Sequence, residues 1–97
     1  MKTEAEFKTL LEKAFAKADP SWLFLKTIVK KVIQEYCKLP EGWNECTVEL
    51  SKHEGDLMYD GGQQAFMMLV SILDKIGVER ARAHSVSNGA FLRLDRV

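Results

Sequence analysis

The chain is poor in the features that announce a specialised class. It has two cysteines, Cys37 and Cys46, in segments of different expected structure. That is too few for a disulfide framework, and two reduced thiols suit a cytosolic protein. No stretch approaches the roughly 18–20 apolar residues of a membrane span, so no membrane association is expected. The first residues, MKTEAEFKTLLEKAF, alternate charged and apolar side chains. A secretory signal has a continuous apolar centre instead, so the expected location is cytoplasmic. Internal repeats, low-complexity tracts and linkers are absent. The 97 residues with 46% apolar content therefore read as one domain, 1–97, able to bury a core without metal or disulfide help.

Chemistry-bearing motifs are equally scarce. Cys37, Cys46, His53 and His84 are separated by nine, seven and thirty-one residues. Zinc ligands come in pairs two to four residues apart, so both cysteines read as small buried hydrophobes. His53, Glu54, Asp56 and Asp60 form a denser polar cluster, but not at the alternate spacing of a calcium loop. Asp56 reads more simply as a turn residue and Asp60 as a helix cap. Gly61-Gly62 lacks the further glycines and the Lys-Ser/Thr pair of a phosphate loop, and no GxSxG occurs. No catalytic residue, metal or cofactor is expected, and the chain is not expected to be an enzyme.

Periodicity supplies the fold class. Thr3 and Glu6 form a capping-box pattern ahead of Phe7, Leu10, Leu11, Ala14, Phe15 and Ala18, which recur on one helical face. Asp19-Pro20 stops that helix and opens a second, with Asp19 as cap. Its apolar stripe is Trp22, Leu25, Ile28, Val29, Val32, Ile33 and Tyr36, and Leu39-Pro40-Glu41-Gly42 breaks it. The two helices are expected to form an antiparallel hairpin. Residues 46–51 alternate as a half-buried strand with Cys46, Val48 and Leu50 inward. Glu54-Gly55-Asp56 is expected as a turn, with a short return strand at 57–59. A third helix is expected from the Asp60-Gly61-Gly62-Gln63 start to a stop at Gly77, apolar almost all round and the most buried element. Strands at 79–87 and 90–97 flank Asn88-Gly89, the strongest two-residue hairpin signal. In the second, Leu92 and Leu94 share one side, and Phe91, Arg93 and Asp95 the other. The order ααβ(β)αββ predicts an α+β domain: a helical hairpin, a third buried helix and a small antiparallel sheet.

Charge is what the chain does have, and it is segregated. Residues 1–40 sum to +3, residues 41–60 to −5 and residues 61–97 to +2, so a net charge of zero conceals a polarised molecule. The middle block holds Glu41, Glu45, Glu49, Glu54, Asp56 and Asp60 against Lys52 alone. A block of one sign projects a field that a basic partner feels whatever the net charge. Trp43 and Tyr59 lie within the block, and aromatics amid charge are what interface anchors look like. The expected partner-binding set is therefore Glu41, Trp43, Glu45, Glu49, Glu54, Asp56, Tyr59 and Asp60, with Trp43 either partly exposed and engaged or a cover over the core. The carboxylates would mimic the phosphate spacing of a nucleic acid in a Lys/Arg-lined groove. The rival set is Lys26, Lys30, Lys31 and Lys38 on the second helix with Arg80, Arg82, Arg93 and Arg96 on the terminal strands, a possible phosphate footprint for direct nucleic-acid binding.

The acidic residues Glu41, Glu45, Glu49, Glu54, Asp56 and Asp60, set in a compact neutral body, give the chain its one resemblance. In general organisation it resembles the small anti-CRISPR proteins of phages and mobile elements that act on type I Cascade-like surveillance complexes. That resemblance implies a non-enzymatic inhibitor working in the host cytoplasm, with a host nucleoprotein complex as partner. The near-neutral isoelectric point of 6.7 departs from the strongly acidic DNA mimics.

Overall fold

A computed structural model describes residues 2–78, the backbone of residues 81–86, and residues 91–96. The architecture is α+β, with helices packed on one face of a three-stranded antiparallel sheet. Helix α1 (Glu4–Phe15) starts at the expected capping box. The Thr3 hydroxyl accepts from the Glu6 amide at 3.2 Å, and the Glu6 carboxylate accepts from the Thr3 amide at 3.4 Å. Phe7, Leu11 and Phe15 are its buried face.

Asp19 does act as a cap, accepting from the Ser21 amide at 2.9 Å, but what it caps is a separate 3₁₀ turn, Pro20–Trp22. Helix α2 (Phe24–Tyr36) follows and buries Leu25, Ile28, Val29, Val32, Ile33 and Tyr36 at helical spacing. The two helices form the expected antiparallel hairpin, and contacts at both ends establish the direction. Lys26, early in α2, bonds Glu12, late in α1, at 2.6 Å. Tyr36, at the end of α2, meets Phe7, early in α1, edge to face with centroids 5.7 Å apart.

Strand β1 (Glu45–Glu49) alternates as expected, with Cys46 and Val48 buried and Leu50 buried just beyond it. The next segment departs from expectation. There is no turn at 54–56 and no return strand at 57–59, because helix α3 runs Lys52–Ile76. Ser51, not Asp60, is its cap: the Ser51 hydroxyl accepts from the Glu54 amide at 3.1 Å, and Glu54 accepts from the Ser51 amide at 2.8 Å. This repeats the Thr3/Glu6 device, and its sequence signal, Ser-x-x-Glu, was available. Gly55, Gly61 and Gly62 masked it, since glycine is a poor helix former. The Gly-Gly pair still leaves a mark. Gly62 sits at φ 55°, ψ −142°, outside helical geometry, and kinks α3 there.

Beyond the kink α3 is not buried all round, as its composition suggested. Ala65, Leu69, Ile72, Leu73 and Ile76 face the core, while Met67 is 64% exposed. Gly77 ends the helix in the left-handed conformation, φ 89°. Its amide bonds the Asp74 carbonyl and the Val78 amide the Leu73 carbonyl, the paired bonds of a Schellman cap.

Strands β2 (Ala81–Val86) and β3 (Phe91–Arg96) complete the sheet in the order β1-β3-β2. The pairing Cys46↔Leu94 and Val48↔Leu92 puts four buried side chains on the helix side. The Asn88-Gly89 turn and Arg80 lie outside the described residues.

Candidate functional site

Strand β1 is an edge, and the phase of its hydrogen bonds determines what that edge offers. The Arg96 amide donates to the Asn44 carbonyl at 2.9 Å. In an antiparallel ladder, hydrogen-bonded pairs alternate with non-bonded ones. With Cys46 opposite Leu94 and Val48 opposite Leu92, residues 44, 46 and 48 therefore spend their backbone groups on β3. Glu45, Thr47 and Glu49 turn their N–H and C=O groups the other way, toward the open edge. All three side chains are exposed, on the face away from the helices. Phe91, opposite Glu49 in the register, is a partly exposed aromatic on the same outer face.

The acidic block is split by the fold. Glu41, Glu45 and Glu49 are exposed on or just before β1, and no cation among the described residues lies within ion-pair distance of them. Asp56, Tyr59 and Asp60 belong to the first half of α3 instead. Asp56 pairs loosely with Lys52, 3.5 Å away and one helical turn earlier, and Asp60 is exposed. Tyr59 is 85% exposed.

Two members of the expected set are used internally. Glu54 is buried. It caps α3 and bonds Lys31 of α2 at 2.5 Å, tying the second helix to the third. Burial pushes its carboxyl pKa up, but the bonds from Lys31 and Ser51 outweigh that, and the net pKa lies below the ordinary 4.5. Of the two readings of Trp43, the structure bears out the core cover: it is only 7% exposed and stacks edge to face on Tyr36 with centroids 5.8 Å apart. Its large apolar ring closes the core beneath the β1 entry, where burial is worth more than display.

Among the described residues, four members of the rival basic set are ion-paired. Lys26 pairs with Glu12 at 2.6 Å, Lys31 with Glu54 at 2.5 Å and Lys38 with Glu35 at 3.6 Å, while Lys30 is exposed. Arg93 pairs with Asp95 at 3.2 Å on the outer sheet face. Arg96 is exposed and has interactions of its own. Arg82 is placed only by register, opposite Asp95.

Three surface clefts surround this region. One, of about 360 Å³, lies between α2 and the open edge of β1, lined by Lys31, Gln34, Glu35, Thr47, Val48, Glu49 and Phe91. A second, of about 560 Å³, lies where α2 leads into β1, between Tyr36, Leu39, Trp43 and Arg96. The third, of about 450 Å³, lies beside the Lys31–Glu54 pair and is floored by Phe24 and Leu57. Among the described residues no three His, Cys, Asp or Glu side chains converge on a metal position. Cys46 is buried, which pushes its thiol up to about 11 and keeps it protonated.

Sequence reasoning placed Thr47 and Phe91 on the outward side of their strands but left both out of the candidate binding set. Strand parity was the signal, since both share the side of Glu45, Glu49, Arg93 and Asp95. Comparison of the chain with protein-family models, with curated proteins and with solved structures finds no match.

Proposed function

We propose that the protein is a non-catalytic binding module, an inhibitor of the anti-CRISPR kind. Its acidic strand docks in a basic nucleic-acid groove of a host complex such as a type I surveillance complex. The observation that carries this is an asymmetry in free charge. Among the described residues Glu41, Glu45 and Glu49 stand exposed without an ionic partner, whereas Lys26, Lys31 and Lys38 of the rival basic face are each matched by a carboxylate. Unmatched carboxylates steer a basic partner by long-range attraction and speed encounter. Tyr59, exposed on α3 between Asp56 and Asp60, supplies a second contact of the anchor type.

The test is capture of a host nucleoprotein complex by the tagged protein, with and without excess duplex DNA. Capture that DNA abolishes, and that a Glu41→Lys, Glu45→Lys, Glu49→Lys triple variant loses while keeping its helical circular dichroism, is the expected result. Capture of nucleic acid itself, weakening as salt rises, would transfer the function to the basic residues. Glu54 is left out of the variant because its reversal would break a buried ion pair and a helix cap, confusing folding with binding.

A further inference from the structure

The open edge of β1 specifies how a partner is held, not only what charge it carries. Glu45, Thr47 and Glu49 point their backbone groups outward, and none of those groups has a hydrogen-bond partner among the described residues. An edge of this kind is a template for one more strand, and strand addition is a recurring way to recognise an extended peptide. The usual defence of an edge is charge, and Glu45 and Glu49 fill that role against another copy of this chain, which would bring glutamates to glutamates. The same two charges favour an added strand of opposite sign.

We propose that β1 takes up an extended basic segment of a protein partner as a fourth, antiparallel strand. For its charge the inference rests on the inhibitor function above; the geometry stands without it. Pairing fixes the segment's pattern. Side chains directly opposite Glu49, Thr47 and Glu45 share the outer face, so the segment carries Lys or Arg at its first and fifth positions and Thr or Val at its third. Its second and fourth side chains turn inward, toward the 360 Å³ cleft between β1 and α2 that Lys31, Gln34, Glu35 and Val48 line, and a small side chain suits that space. The partner is thus read as basic–small–β-branched–small–basic.

The probe is the peptide acetyl-Thr-Lys-Val-Thr-Val-Lys-Thr-amide, titrated into the isotope-labelled protein and followed by amide resonances. Binding is expected to move Glu45, Thr47 and Glu49 and to slow their hydrogen exchange at least about tenfold. Replacing both peptide lysines by glutamate is expected to weaken binding by about tenfold or more, because each opposite-charge pair becomes a like-charge pair. Thr47→Pro deletes one outward donor without touching the bonds to β3, and proline is tolerated on an edge whose N–H faces solvent. That variant is expected to keep the spectrum of the folded protein and lose the peptide. N-methylation of the central peptide threonine deletes the corresponding bond from the other side, leaving the protein unaltered, and is expected to abolish binding too. No binding, equal binding of the glutamate or N-methylated peptide, or shifts confined to Asp56 and Asp60 would each overturn edge pairing. Host-complex capture that persists when the peptide fails would leave the inhibitor function standing, and peptide binding without any captured complex would do the reverse.

Discussion

On the helix side of the sheet Cys46, Val48, Leu92 and Leu94 are each no more than 3% exposed, while on the other side Glu45, Thr47, Glu49 and Phe91 lie open. The two faces are built from the same strands, one residue out of step. The inner face is saturated: its side chains are packed, and the backbone groups of Cys46 and Val48 are paired to β3. The outer face and edge of β1 are unsaturated in both respects among the described residues, with unmatched carboxylates and unpaired amides. Stability therefore resides on one side of β1 and partner capacity on the other. Substitutions can be sorted by which side they touch.

The largest effect is expected from the inner face. Leu94→Ala empties a fully buried site opposite Cys46 and is expected to cost about 2–5 kcal/mol in denaturant unfolding, since the surrounding helices can only partly close the cavity. Next comes Gly62→Ala. At φ 55°, ψ −142° a β-carbon is strained although nothing crowds it from outside, so a loss of about 1–3 kcal/mol is expected. A loss at the low end would mean that α3 straightens through residue 62.

Helix α3 also shows what was and was not legible in the sequence. Alternation at 46–51 and in β3, the Thr3 capping box, the α1–α2 hairpin and the Gly77 stop were all readable, because each depends on neighbours a few residues apart. The stretch 52–62 was misread because its three glycines and clustered acids resemble turn chemistry, and only tertiary contacts reward a helix there. Gly55 is buried against its neighbours, and Glu54 reaches Lys31, twenty-three residues away. Trp43 was left undecided between display and core cover for a similar reason. Its charged surroundings in sequence suggested display, but Tyr36 waits for it in space. That β1 is an edge was out of reach, since strand order follows from long-range pairing.

Glu54 offers a smaller, pH-dependent effect. Its carboxyl is held below the ordinary 4.5, so its contribution is fully present above that value and is lost as pH falls through the lowered folded value. Denaturation midpoints are expected to be flat near neutrality and to drop below about pH 4.5. In Glu54→Gln the neutral-pH midpoint is expected to be lower, because Lys31 loses its ionic partner, and the acid-side decline shallower. The smallest effect belongs to the outer face. Glu49→Lys is expected to leave stability within about 0.5 kcal/mol while altering partner binding, as befits an exposed charge with no ionic partner among the described residues. A large loss of stability there would erase the distinction between the two faces.

That distinction is most directly tested by residue-resolved hydrogen exchange in the protein alone. The amides of Cys46 and Val48 are expected to be protected by β3, and those of Glu45, Thr47 and Glu49 to exchange at nearly unstructured rates. Alternating protection along β1 is the result the open acidic edge requires; uniform protection from 45 to 49 would show the edge already covered and contradict it.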